Sequence, residues 1–239
     1  MKGKFYGIGV GPGDPDLLTI KAKKIFDEVD IILAPETKDG KGSTALNIAK
    51  PHLNQRVEII EKKFPMTYDV DVLNNSYDEI SDFIKGFIDR GKKVAFLTLG
   101  DPMVYSTYIY LFKRLKLKNV EIETIPGITS FCAIASKVGI PLGENEETIA
   151  IVPSVYYKKG DEKLENILKN VDNIVFMKAS GQIDGLIDEL DNTGHKKGSV
   201  FVSRLGLDGQ IIEEDIENRR GIKNNYLSTL VAKKNKSIR

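Results

Sequence analysis

Tryptophan is absent from this 239-residue chain, histidine occurs twice and cysteine once. A single thiol, Cys132, excludes an internal disulfide. With only His52 and His195 beside it, no zinc-ligand spacing exists, and no protein-bound metal is expected. No serine or cysteine stands in a recognisable nucleophile arrangement, and Cys132, far in sequence from either histidine, reads as a small core residue. The charge balance, 35 basic against 34 acidic residues, leaves +1. That excludes a global field drawing in nucleic acid or a membrane surface. No apolar stretch approaches the about 20 residues of a membrane span. The N-terminus runs into Phe5-Tyr6-Gly7-Ile8 without a cleavable signal peptide, so the expectation is a cytoplasmic protein.

What is present suits a folded α/β protein. Hydrophobic residues make up 41% and charged residues 29%, enough for a real core in one large domain or two smaller ones. Strand-like runs (4–10, 31–35, 57–60, 94–99) alternate with helical patterns. One of these is the long face Val72, Tyr77, Ile80, Phe83, Ile84, Phe87. Such alternation indicates a largely parallel sheet. Polar, basic Lys113–Asn119 reads as a linker between domains spanning residues 1–116 and 120–239. Beyond it strands are expected at 120–125, 149–153, 174–178, 199–204 and 226–232, with helices up to Val138 and over 183–190.

The stretch Val94–Tyr108 organises the reading. An apolar run ends in Gly100-Asp101-Pro102, and Tyr108, Leu111, Phe112 and Leu115 follow at helical spacing. A strand–turn–helix puts the turn at the carboxyl edge of a sheet, where open α/β folds bind ligands. Glycine permits close approach, aspartate accepts hydrogen bonds and proline stiffens the turn. A capped turn without chemistry would use the same residues. Further loops share the design: Gly9-Val10-Gly11-Pro12-Gly13-Asp14-Pro15, then Pro126-Gly127-Ile128-Thr129-Ser130. The first fails as a dinucleotide fingerprint. Started at Gly7, G-x-G-x-x-G puts Pro12 at its third glycine, and started at Gly9 it puts Asp14 there. Thr129 and Ser130 are either helix caps or hydroxyls at a helix start that hold a ligand.

Together with Met177-Lys178, these motifs resemble, in order and spacing, the tetrapyrrole methylases. These are class III S-adenosylmethionine-dependent methyltransferases of corrin and sirohaem biosynthesis, with diphthine synthase as a relative. The resemblance extends over residues 4–231. Gly100–Tyr108, Pro141-Leu142-Gly143 and Ser203-Arg204-Leu205-Gly206 look most like the branch that methylates carbon 20 of precorrin-2 or cobalt-factor II. It implies a two-domain α/β fold, each domain a mostly parallel or mixed sheet flanked by helices, in a homodimer. S-adenosylmethionine would contact Leu99, Gly100, Asp101 and Val104 from the first domain. Thr129, Ser130, Met177 and Leu205 would contact it from the second, with Leu227 or Ser228. The tetrapyrrole would lie against Gly11, Pro12, Gly13, Asp14, Tyr105 and Arg204.

Methyl transfer from a sulfonium to an electron-rich carbon asks the protein for alignment rather than a nucleophile. The proton then lost from the methylated carbon needs a base or water. Asp101, Asp14 and Tyr105 are the candidates. Substrate carboxylates call for local positive charge near the loops, from Lys178 and Arg204, whereas Lys38 and Lys41 read as ordinary surface charges. Tyr105 is placed to stack on the ring, and Tyr108 reads as core. Another methylase of the pathway, a diphthine synthase, a non-catalytic tetrapyrrole carrier and a nicotinamide-dependent oxidoreductase are the competing readings. The failed glycine registers count against the last.

Overall fold

A computed structural model describes residues 3–36, 42–65, 67, 69–154, 160–181 and 183–234. Lys38 and Lys41 lie outside them. The chain divides into two compact units, residues 1–129 and 130–239.

The first unit carries a five-stranded parallel sheet, ordered β3-β2-β4-β1-β5. Its strands are β1 (Lys4–Gly9), β2 (Ile31–Pro35), β3 (Glu58–Lys62), β4 (Lys93–Thr98) and β5 (Ile122–Ile125). Helices α1 (Ile20–Phe26), α2 (Thr44–Ala49), α3 (Val70–Asp89) and α4 (Tyr108–Leu117) connect them. In β4 every residue after Lys93 is buried. Val94 and Phe96 join Tyr77, Ile80 and Ile84 of α3 and Tyr108 of α4 in one cluster. Ala95 and Leu97, equally buried, point to the opposite face by strand alternation. Burial on both faces explains why β4 reads as a continuous apolar run.

The expected linker is not one. Residues 113–117 belong to α4, which buries Leu111 and Leu115. Asn119 ends it in a left-handed turn at φ 56°. The basic residues are this helix's outer face. Strand β5 then pairs with β1, Phe5 opposite Ile122, so the first unit extends to Thr129 rather than ending at residue 116.

The second unit has α5 (Ser130–Val138), β6 (Ile149–Pro153), α6 (Glu162–Asn170), β7 (Asn173–Met177), α7 (Ile183–Asn192), β8 (Gly198–Ser203), β9 (Ile211–Glu213) and β10 (Ser228–Lys233). Its sheet order is β6-β7-β10-β8-β9. Only β6 and β7 are parallel, because β10 inserts antiparallel between β7 and β8. Leu164, Leu168, Phe176, Leu186, Leu190, Phe201 and Leu230 form its core. Cys132 is exposed, contrary to the expectation of a core position. Helical spacing turns Phe131 and Ile134 inward and residue 132 out. Among the described residues no helix is long and apolar enough to cross a membrane.

At the carboxyl edge of the first sheet, glycines let backbones touch. A Cβ on Gly9 would stand 2.6 Å from the Gly100 carbonyl oxygen and from the Gly127 nitrogen. One on Gly127 would stand 2.2 Å from that same oxygen. Gly127→Ala should therefore cost about 1–3 kcal/mol. Gly86→Ala, in α3 with only Arg90 within reach at 3.8 Å, should gain about 0.5–1 kcal/mol. Urea midpoints of the two variants moving the same way would contradict this packing. His195 in the second unit supplies a pH test. It is fully buried, with Nδ1 3.0 Å from Thr193 Oγ1, and burial lowers its pKa. Below its ordinary value of about 6.5, the unfolded chain binds a proton that the native state resists. Stability should thus fall as pH drops from 7 to 5.5. His195→Gln should show a shallower fall in urea titrations at the two pH values.

Candidate functional site

Loops after β1, β4 and β5 meet at one edge of the first sheet. Gly100 N–H donates to the Gly11 carbonyl at 2.8 Å, Gly11 N–H returns a bond to Gly100 at 3.3 Å, and Val10 N–H donates to the Thr98 carbonyl at 2.9 Å. Gly100 sits at φ 72°, and a side chain there would meet only the Ile128 carbonyl oxygen, at 4.0 Å. Its face is open to a close-approaching group. Leu99 and Val104 beside it are half-buried.

Asp101 ties this edge together. One carboxylate oxygen accepts from Met103 N–H at 2.8 Å, closing its own turn, and the other from Gly127 N–H at 3.0 Å. Charge-assisted bonds of this kind are the strong ones. Pro102 is buried, and Ser106 Oγ donates to its carbonyl. Tyr105 stands at φ 47° and is exposed. Tyr108 is core: fully buried, stacked on Phe5 and Phe96, its hydroxyl 2.6 Å from Thr124 Oγ1.

In the first loop Gly11, Pro12 and Gly13 are buried and Asp14 is exposed. Asp14 accepts from Asp16 N–H at 2.9 Å and caps the single turn Pro15–Leu17, so its acidity has a structural use as well. Two hydroxyl oxygens at the ends of neighbouring segments, Thr98 Oγ1 and Thr129 Oγ1, are buried with no hydrogen-bond partner among the described residues. A buried unpaired hydroxyl is costly. Thr98 was not singled out from sequence, since a threonine closing a strand is unremarkable there.

In the second unit the remaining candidates also share an edge. Because β10 runs against β7 and β8, its start lies where they end: Thr229 is opposite Met177 and Ser228 opposite Ser203. Arg204 N–H donates to the Leu227 carbonyl at 2.8 Å, and Ala179 N–H to the Ser228 carbonyl at 2.9 Å. Met177, Lys178, Arg204, Leu205 and Leu227 are thereby grouped. Ser228 is buried with its hydroxyl donating to the Asn225 carbonyl at 2.6 Å, which leaves half-buried Leu227 as the accessible residue of the two. Ser130 opens α5 and is half-buried. Lys178 and Arg204 hold left-handed backbones, at φ 60° and 54°, a feature their sequence did not announce.

The family model for tetrapyrrole (corrin/porphyrin) methylases matches residues 4–217. A cobalt-precorrin-2 C(20)-methyltransferase of Salmonella typhimurium is 31% identical over 88% of this chain and 87% of its own length. A probable cobalt-precorrin-2 C(20)-methyltransferase of Methanocaldococcus jannaschii is 33% identical over 97% and 96%. Among solved structures, a cobalt precorrin-4 methyltransferase superposes with a TM-score of 0.73 at 24% identity, covering 96% of this chain and 94% of the other. With the family model spanning most of its length, this chain belongs to the tetrapyrrole methylases.

Proposed function

We propose that this protein is an S-adenosylmethionine-dependent C-methyltransferase of cobalamin biosynthesis that methylates carbon 20 of cobalt-factor II or precorrin-2. The observation that carries the reading is the near full-length match to two relatives that share that activity in their names. Both names specify a cobalt-containing substrate, which favours cobalt-factor II. The cobalt is then part of the substrate, and the protein holds no metal of its own. A homodimer working in the cytoplasm completes the reading.

The residues fit a methyl donor. The open face of Gly100 admits a flat or bulky group against the backbone, and the buried Thr129 hydroxyl lacks the partner a ligand would supply. Leu99, Gly100, Asp101, Val104 and Thr129 would hold it from the first unit. The family resemblance assigns Ser130, Met177, Leu205 and Leu227 of the second unit to the donor as well. S-adenosylmethionine brings an already activated methyl group, so the chain's contribution is alignment and exclusion of water. Asp101, with both carboxylate oxygens engaged by amides, serves better as the clamp that sets loop geometry than as a proton acceptor. Asp14, exposed at the same sheet edge, is then the group to receive the proton leaving the methylated carbon, and the Tyr105 hydroxyl can only relay it by passing its own proton to water, unless water takes it directly. Gly11, Pro12 and Gly13 form the floor for the macrocycle.

Incubation with methyl-labelled S-adenosylmethionine and each macrocycle should place the label at carbon 20, with faster turnover of cobalt-factor II. Label at another ring carbon, or on translation elongation factor 2, would overturn the reading. Asp101→Ala frees the Gly127 amide and should lower S-adenosylhomocysteine affinity at least about tenfold, roughly 1.4 kcal/mol. Fold stability should drop as well, by about 2–3 kcal/mol, because both amide bonds to the carboxylate are lost. Equal affinities by calorimetry would remove Asp101 from the donor site.

A further inference from the structure

The first sheet ends at β3, whose outer border pairs with no strand among the described residues. Glu58 N–H donates to the Asp30 carbonyl at 3.0 Å, and the Lys62 carbonyl accepts from Glu36 N–H at 2.9 Å. Residues 58, 60 and 62 therefore turn their backbone groups to β2, their parallel neighbour. By alternation the N–H and C=O groups of Ile59 and Glu61 point away from the sheet. Such a border recruits another strand unless something blunts it. Strand β3 contains no proline, and its Ile59 is 44% exposed.

Its charges decide which strand fits. Glu58, Ile60 and Lys62 share the face turned to α3. Ile60 packs against the cluster of Tyr77, Ile80 and Ile84, and the Lys62 ammonium lies 4.5 Å from the centre of the exposed Phe83 ring. Among the described residues neither Glu58 nor Lys62 has an ion-pair partner. A second β3 set antiparallel about a two-fold axis at Ile60 completes this border. Ile59 of each copy then faces Glu61 of the other, and the outward backbone groups of both bond to one another. Glu58 stands opposite Lys62 on both sides of the axis, in the closely spaced kind of cross-strand pair. Sliding one copy by two residues sets Lys62 against Arg56 in one direction, and Glu61 against its own counterpart in the other. A slide of one residue opposes outward groups to inward ones.

We propose that two copies of this chain pair through the β3 border in this register, joining their first sheets edge to edge. The inference names a surface for the homodimer proposed above and rests on that part of the reading. It is independent of the substrate and of the methyl donor. Phe83, which steadies Lys62 at the border, is covered when the second strand arrives.

Charge exchange tests both the surface and the register. Sedimentation velocity over about 1–100 μM should show the wild-type chain as a dimer. Glu58→Lys sets two lysines against each other at both ends of the pairing, and Lys62→Glu sets two glutamates. Each variant alone should raise the dimer dissociation constant at least about tenfold. The double variant Glu58→Lys/Lys62→Glu restores opposite charges and should recover the dimer. An equimolar mixture of the two single variants should form a mixed dimer, because opposite charges again meet at both ends. Recovery of this kind cannot come from a misfolded chain. Ile59→Pro removes an outward N–H that β2 does not use, and should also leave a monomer. Single variants that dimerise like wild type, or a mixture that stays monomeric, overturn this surface and leave the homodimer to another face. A wild-type chain that stays monomeric throughout overturns the homodimer reading along with it.

Discussion

The first unit depends on backbone-to-backbone contact among the segments that close β1, β4 and β5. Gly9, the Gly100 carbonyl and Gly127 lie too close for any side chain to intervene. Because no side chain separates them, the short Asp101 carboxylate spans from its own turn to the Gly127 amide. A thicker junction would need a longer, looser side chain. The loops therefore reach the ligand edge as one braced assembly, with space beside the buried Gly100 that no side chain fills. Preorganisation of this kind is what a reaction with an activated donor requires of its protein.

Charge is distributed to the same end. The molecule is almost neutral overall, so attraction for an anionic ligand has to come from placed groups, not from a general field. Many of the surface cations are already paired: Lys4 with Glu123, Arg114 with Asp78, Arg220 with Asp188. Such exposed pairs add little stability, but they leave fewer unpaired cations to compete for anions. Arg204 differs in being oriented by a carbonyl oxygen rather than neutralised by a carboxylate.

Much of the first unit was legible in the sequence because its signals are local. Strands buried on both faces read as apolar runs, the amphipathic faces of α1 and α3 show their period, and Gly and Pro punctuate the edge loops. The domain boundary was not legible, because Lys113 and Lys116 on the outer face of α4 look like a polar connector until Leu115 is known to be buried. Helix α6 escaped notice for a related reason. Leu164 and Leu168 are its only fully buried residues, set among Lys, Glu and Asn. The antiparallel insertion of β10 is a matter of long-range pairing, with no trace in local pattern. The same holds at the site: the Gly-Asp-Pro turn is visible, but its bond to an amide 26 residues away is not.

The order of strands in the first sheet bears on how the molecule is made. The opening strand, β1, is flanked by β4 and β5, and Phe5 pairs with Ile122. A nascent chain emerging from the ribosome thus carries an unsatisfied β1 border until residues 122–125 have been translated. Contacts of such wide separation slow folding and expose a sticky border in the meantime. Chaperone engagement during synthesis would be concentrated on that interval, ending as residues 122–125 clear the exit tunnel.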